Sequence, residues 1–393
     1  MHLPGLRAAL RTSLWFGAAA WLLGGCSLLT APRQAATPAV LETKGPDPKA
    51  PRLAALETRH VELATGQDVV GETQVIFARH ENTFSAIGRQ YNLGYEEMRS
   101  ANPGVDQWLP GEGTPIYLPT QSILPEAPRE GIVVNVPAMR LYYFSTEKAG
   151  TTEKAAQKGA PAILKVSSHP IGIGVEGWAT PFGEAKVTQK VKDPIWYVPA
   201  SIRKEHADRG DPLPSVVPPG PDNPLGAYAL TLSLPSYLIH GTNKPAGVGM
   251  RSSHGCIRLY PEDIEALFSR VARGTAVRIV NQPVLAGWRD GQLYLEVHPP
   301  LAEEEHDLVA EAEAALGRAI ERAGAAAASG AALDHAAIEK IVAEQRGIPF
   351  PVLGSNRLPE RYLAGVRIIA NTVPIAVAEE TARLAEPAVN ASR

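Results

Sequence analysis

A chain of 393 residues, 45% hydrophobic and 20% charged, is long enough to bury a sizeable core and to hold two or three domains. Its net charge of -3 leaves no electrostatic footprint for nucleic acid, which excludes that class of partner. Thirty-five prolines and thirty-five glycines are too many for a helical bundle and suit turns between short strands.

The chain opens with Arg7 and Arg11, an apolar stretch from Leu14 to Leu23, and then Gly24-Gly25-Cys26. This stretch is too short to span a bilayer and has the charged-then-apolar layout of a secretory signal. The small residues before Cys26 resemble a bacterial lipoprotein cleavage box. That resemblance implies a signal peptide over 1–25, lipidation of Cys26 as the mature N-terminus and, because Ser27 follows, an outer membrane anchor facing the periplasm. A signal with an incidental Cys26 is the plainer reading. Residues 26–72, rich in Ala, Pro, Thr and Lys without a sustained period, are expected to form a flexible linker. Its reach lies between roughly 40 Å as a coil and roughly 140 Å as an extended rod.

Over 73–120 the pattern changes. The run "QVIFARHENTFSAIGRQYNLGYEEMRSANPGVDQWLPGEGTPIYLP" predicts a strand, a helix with Phe84, Ile87 and Tyr91 on one stripe, a short helix ending at "ANPG", and a closing strand over 114–118. With Thr83 opening the first helix and "IGRQYNL", "ANPGVD", "LPGEG" and "IYLP" following, it resembles a LysM module, a βααβ unit that binds wall glycan. Glu81-Asn82 stands where that family has Gly-Asp, so a spacer without glycan affinity is the competing reading.

From 130 to 282 the apolar runs "IVVNV", "RLYYF", "AILKVSSHPIGIG", "GAYALTL", "YLIH" and "AVRIV" are short, β-branched or aromatic, and separated by Gly and Pro. A mainly β domain of sandwich or barrel type is predicted. The polar stretch 148–160 is expected to be an exposed hairpin loop, and the prolines from Pro212 to Pro224 an ordered surface loop. One helix is predicted in "YPEDIEALFSRVARGT", with Pro261 in its first turn, acidic residues at its start, arginines near its end and a buried stripe of Ile264, Leu267, Phe268 and Val271. Beyond it, 283–350 suggests a β-ribbon turning at Asp290-Gly291 and then Ala/Glu-rich helices. Residues 351–393 form a tail with no clear signal.

The chemistry concentrates in "YLIHGTNKPAGVGMRSSHGCIR" over 237–258. Cys26 and Cys256 are the only cysteines, so if Cys26 carries lipid, Cys256 has no partner within the chain for a disulfide. If 253–258 is extended, His254, Cys256 and Arg258 share one face. The glycine-studded loop after His240 can bring that imidazole back to the sulfur. A histidine can take the thiol proton and a neighbouring cation such as Arg258 can favour a thiolate at working pH. Gly255 lets backbone amides approach an oxyanion. Cys256 as a buried hydrophobe, or as a zinc ligand with His240 and His254, are the alternatives. His254 suits a structural hydrogen bond as well as proton transfer, and Arg251 suits solvent as well as substrate.

"IHGT" followed by "SHGCIR", its cysteine sixteen residues after the histidine, resembles the L,D-transpeptidase signature of the YkuD type. "PIGIG", "TPFG" and "NPLGAYAL" match that family too. With the LysM-like module, "PAMRLYYF", "PLPSVVPPGPDNP" and "YLEVHPPL", the chain is similar to the subgroup that attaches Braun lipoprotein to peptidoglycan in Gram-negative bacteria. The resemblance implies a cofactor-free, metal-free acyl transfer on peptidoglycan stem tetrapeptides. Cys256 would be the nucleophile, His240 the base, and the Gly241 carbonyl the group that orients it. Amides about Gly255 and Cys256 would hold the oxyanion, and Arg258, Ser253 and His254 would position the substrate or the loop. The acceptor implied is an outer membrane lipoprotein lysine. A second diaminopimelate giving a 3-3 cross-link, water, or a non-catalytic wall anchor remain open.

Overall fold

Short apolar runs pair into one curled sheet of nine strands in the computed structural model, which describes residues 61–148, 162–324 and 332–374, all within a unit spanning Gly45–Arg393. The strand order across the sheet is Val61–Glu62, Ala162–Pro170, Arg140–Lys148, Gly131–Asn135, Ala276–Val280, Gly183–Lys192, Tyr228–Leu232, Leu238–His240 and Ile257–Arg258. The long Gly183–Lys192 strand pairs with Ala276–Val280 at one end and with Tyr228–Leu232 at the other, and its register shifts between Val187 and Gln189. Such a bulge bends a strand, which lets one sheet curl around its own core. Ile132, Val134, Leu141, Ile239 and Ile257 fill that core, closed by Ile264 and Leu267 of the helix Pro261–Arg270. That helix begins with proline at its first turn and Glu262 and Asp263 beside its positive end, as the sequence predicts.

Ahead of the sheet, Gln74–Phe77 and Pro115–Leu118 pair antiparallel around the helices Phe84–Gln90 and Tyr95–Ala101, in the predicted strand–helix–helix–strand order. The Thr83 hydroxyl accepts the Ala86 amide at 3.1 Å and caps the first helix. Phe84, Ile87, Leu93, Met98 and Ile116 are wholly buried there, each contributing on the order of 1.5–3 kcal/mol.

Several expectations need correction. The linker does not run to residue 72, because Val61–Glu62 adds an edge strand against Ala162–Pro170 and Val69–Val70 pairs with Ser122–Ile123. Two-residue strands are too short to show a period within Ala/Pro-rich sequence. The proline loop contains Val216–Val217, which pairs with Trp196–Tyr197, and between these lies an unforeseen helix, Ala200–Asp208. The tail has structure as well: Phe350–Pro351 extends the ribbon, and Arg367–Ile368 lies parallel to Gln74–Phe77.

The ribbon itself is Val284–Arg289 with Gln292–Val297, and both Asp290 (φ 51°) and Gly291 (φ 73°) take the left-handed conformation that a tight hairpin turn requires. Helices Leu308–Ala323 and His335–Glu344 cover it, and the Trp288 indole donates to the Ala319 carbonyl at 2.9 Å. The signal segment, Cys26 and most of the 148–160 insertion lie outside the described residues.

Candidate active site

His240 ends the strand Leu238–His240, whose parallel partner is Ile257–Arg258 with Ile239 opposite Ile257 and His240 opposite Arg258. Ile239 and Ile257 point into the core. The period of two therefore puts His240 and Arg258 on the other face. Cys256 directly precedes the Ile257–Arg258 strand, and continuing that alternation puts it on the same face as His240. The buried imidazole donates from Nδ1 to the Gly241 carbonyl at 2.6 Å. With Nδ1 carrying the proton, Nε2 is left as the acceptor, which is the tautomer a general base needs.

The turn carrying the sulfur is held by hydroxyls. Thr180, buried and unnoticed in the sequence, donates to the Gly255 carbonyl at 3.0 Å and accepts the Gly174 amide at 3.1 Å. Because a trans peptide aims its N–H opposite to its C=O, Thr180 fixes the direction of the Cys256 amide. Ser253 donates to the Cys256 carbonyl at 2.6 Å and fixes the next peptide plane. Gly255 has φ of 96°, and a side chain on it would meet Tyr237 Cε1 at 2.7 Å. Among the described residues, neither the Gly255 nor the Cys256 amide donates to a turn or loop carbonyl. The signal for Thr180 lay in "TPFG": the following proline restricts Thr180 to extended backbone.

This turn also corrects the extended reading of 253–258. Strand geometry covers Arg251–Ser253 and Ile257–Arg258 but breaks at Gly255, because a positive φ cannot continue a strand. His254 consequently packs edge-on to Trp178, with ring centroids 5.1 Å apart, and pairs with Glu205 of the unforeseen helix at 3.2 Å. Arg251 is partly exposed, pairs with Glu303 at 2.6 Å and donates to the Gly174 carbonyl.

Electrostatics bears on the charge of the pair. Burial lowers His240 to about 3, and Arg258 adds to the shift, while the Gly241 and Leu225 carbonyls oppose it. Burial also pushes the Cys256 thiol up, against the Leu238 amide and Arg258, which lower it. Both shifts run against the anionic sulfur expected from an adjacent cation, because burial penalises charge on the sulfur and on the imidazole alike. The thiol lies 3.7 Å from the Ser236 carbonyl, to which it donates. Among the described residues no group of three His, Cys, Asp or Glu side chains is placed to hold a metal ion.

The loop between His240 and Cys256 is clasped from outside. The amides of Tyr95 and Glu96, opening the second helix of the βααβ unit, donate to the carbonyls of Val248 and Gly249 at 3.2 and 3.0 Å. Gly94 and Gly249 meet backbone to backbone, with no room for a side chain on either. Nearby, buried Arg140 pairs with partly buried Glu97 at 2.6 Å, the Glu97 carboxylate caps the Gly94 amide at 2.6 Å, and Arg89 forks onto Glu262 at 3.0 and 3.1 Å. Sequence held no hint of the clasp, because the Tyr95–Val248 and Glu96–Gly249 bonds join residues more than a hundred positions apart.

Residues 129–279 match the family model of the L,D-transpeptidase catalytic domain, YkuD. The chain is 43% identical over 244 residues to "Probable L,D-transpeptidase YbiS" of Escherichia coli K12, covering 61% of this chain and 74% of that one. It is 42% identical over 241 residues to "Probable L,D-transpeptidase ErfK/SrfK" of Salmonella typhimurium, covering 60% and 73%. Among solved structures, the NMR structure of the catalytic domain from E. faecium L,D-transpeptidase overlaps 40% of this chain and 100% of that one at 20% identity, with a TM-score of 0.27. A histidine locked by its neighbour's carbonyl and a cysteine on a hydroxyl-braced glycine turn thus sit inside the matched region, and the chain belongs to the L,D-transpeptidase family.

Proposed function

We propose that this enzyme cuts a peptidoglycan stem tetrapeptide through a thioester on Cys256 and passes the acyl group to a lysine amine of an outer membrane lipoprotein. The observation that carries the chemistry is the Nδ1–H···O=C bond of His240 to Gly241, which frees Nε2 on the face that Cys256 shares. As the sulfur bonds to the carbonyl of the third stem residue, a diaminopimelate, its proton passes to His240 Nε2. Starting from neutral partners, imidazolium and oxyanion form together, and the Cys256 amide aimed by Thr180 meets the new negative charge. The C–N bond then breaks, the departing D-alanine nitrogen takes the proton from the imidazolium, and the thioester remains. The acceptor amine attacks the thioester carbon, gives its proton to His240 and so to the returning sulfur, and leaves an amide.

Acylation of Cys26 would hold the enzyme on the outer membrane, within the periplasm, with the proline-rich stretch after it as tether. The βααβ unit, read as LysM, would grip glycan while fixed beside the active-site loop. Incubating the purified full chain with stem tetrapeptide and a lysine-ended acceptor peptide tests the reading by mass spectrometry. The expected result is D-alanine release with a lysine-linked product. A 3-3 dimer or free tripeptide in place of that product redirects the acceptor, and absence of D-alanine release overturns the donor.

A further inference from the structure

We infer that Arg258 is a specificity residue whose guanidinium takes the terminal carboxylate of the residue that leaves when the donor stem is cut. The inference rests on the donor reading above. Arg258 stands opposite His240 in the parallel register and two residues past Cys256, on the face the two share. It is partly buried, its Nε has no hydrogen-bond partner, and one terminal nitrogen reaches the Ser252 hydroxyl at 3.1 Å. Among the described residues no carboxylate lies within 4.0 Å of it. Other arginines around the site are matched: Arg140 with Glu97 at 2.6 Å, Arg89 with Glu262 at 3.0 Å and Arg251 with Glu303 at 2.6 Å.

A cation taken partly out of water without its anion is unfavourable, and completing it recovers that cost. Among the described residues nothing supplies that anion, and a donor bound at the sulfur can bring one. The donor carries one at the right separation. Its terminal carboxylate carbon stands three bonds from the attacked carbonyl carbon, about 4 Å away. Arg258 starts two residues from Cys256, about 6.6 Å along extended chain, and its long side chain covers the difference. The second carboxylate of diaminopimelate has the same chemistry but sits six bonds away on a flexible chain, where binding it would cost more ordering.

The test measures D-alanine release by the full chain and by R258Q and R258K, with three donors: the tetrapeptide acid, its terminal amide, and a tetrapeptide amidated only on the diaminopimelate side carboxylate. Wild type is expected to favour the acid over the terminal amide by about a hundredfold in kcat/KM, the scale of a lost buried charge contact. R258Q is expected to lose that preference by losing the acid, R258K to keep part of it, and side-carboxylate amidation to change nothing in any protein. Alkylation by neutral iodoacetamide checks in each variant that the Cys256 thiol is still reached. Equal use of acid and terminal amide by wild type, or a preference retained in R258Q, overturns the inference. A preference that follows the diaminopimelate carboxylate overturns the assignment to the leaving residue. No release from any donor, with Cys256 still alkylated, overturns the donor reading and this inference with it.

Discussion

Replacing His240 with asparagine keeps a donor for the Gly241 carbonyl and removes the only proton-binding group at that position. In the folded chain this imidazole is lowered from an ordinary 6.5 to about 3, with burial the largest cause. The unfolded chain takes up a proton as pH falls through 6.5, and the folded chain refuses it until about 3. Stability is therefore lost through this window at about 1.4 kcal/mol per pH unit, and none is lost above it. Between pH 6.5 and 5 the wild type should lose about 2 kcal/mol through His240 alone. Urea unfolding of wild type and His240→Asn at pH 8, 7, 6 and 5 isolates this, since every other titrating group is common to both. The difference between the two should be constant from pH 8 to 7 and shift by about 2 kcal/mol in favour of the variant by pH 5. Parallel profiles across the whole range would show that the imidazole protonates in place, refuting the neutral resting imidazole.

Thr180→Val keeps the shape but leaves the Gly255 carbonyl without its donor, so kcat should fall about tenfold to a hundredfold with KM little changed, and Thr180→Ser should restore it; an unaltered kcat would remove Thr180 from oxyanion placement. Glu97→Gln leaves buried Arg140 without its counter-charge and should cost about 3–5 kcal/mol in denaturant unfolding, much of it recovered by adding Arg140→Met. A loss below about 1 kcal/mol would show the pair to be as weak as an exposed one.

Where a residue's role depends on near neighbours, the sequence was enough. The helix after Cys256 carried its proline, its acidic first turn and its apolar stripe within a few turns, and the hairpin at Asp290-Gly291 announced its turn in two. The Gly183–Lys192 strand was missed because it alternates polar and buried residues with few large hydrophobes, so it lacks the apolar density of its neighbours. His240 and Cys256 stood out as candidates because loop glycines, a strand end and a known spacing agree. The partners that tune them were not: Thr180, Glu205 and the Tyr95–Glu96 amides reach the site from elements that only tertiary packing brings close. An adjacent arginine can be read from sequence, whereas the burial that opposes it at Cys256 cannot.

The central claim is that Cys256 carries the acyl group and His240 moves its proton. Intact-mass spectrometry of the full chain, quenched in acid within the first turnovers after mixing with stem tetrapeptide, tests it most directly. Wild type should gain the donor mass less D-alanine on Cys256, His240→Asn should gain it far more slowly, and Cys256→Ala should gain nothing. Wild type releasing D-alanine without ever carrying that mass, or Cys256→Ala acquiring it, would contradict the account.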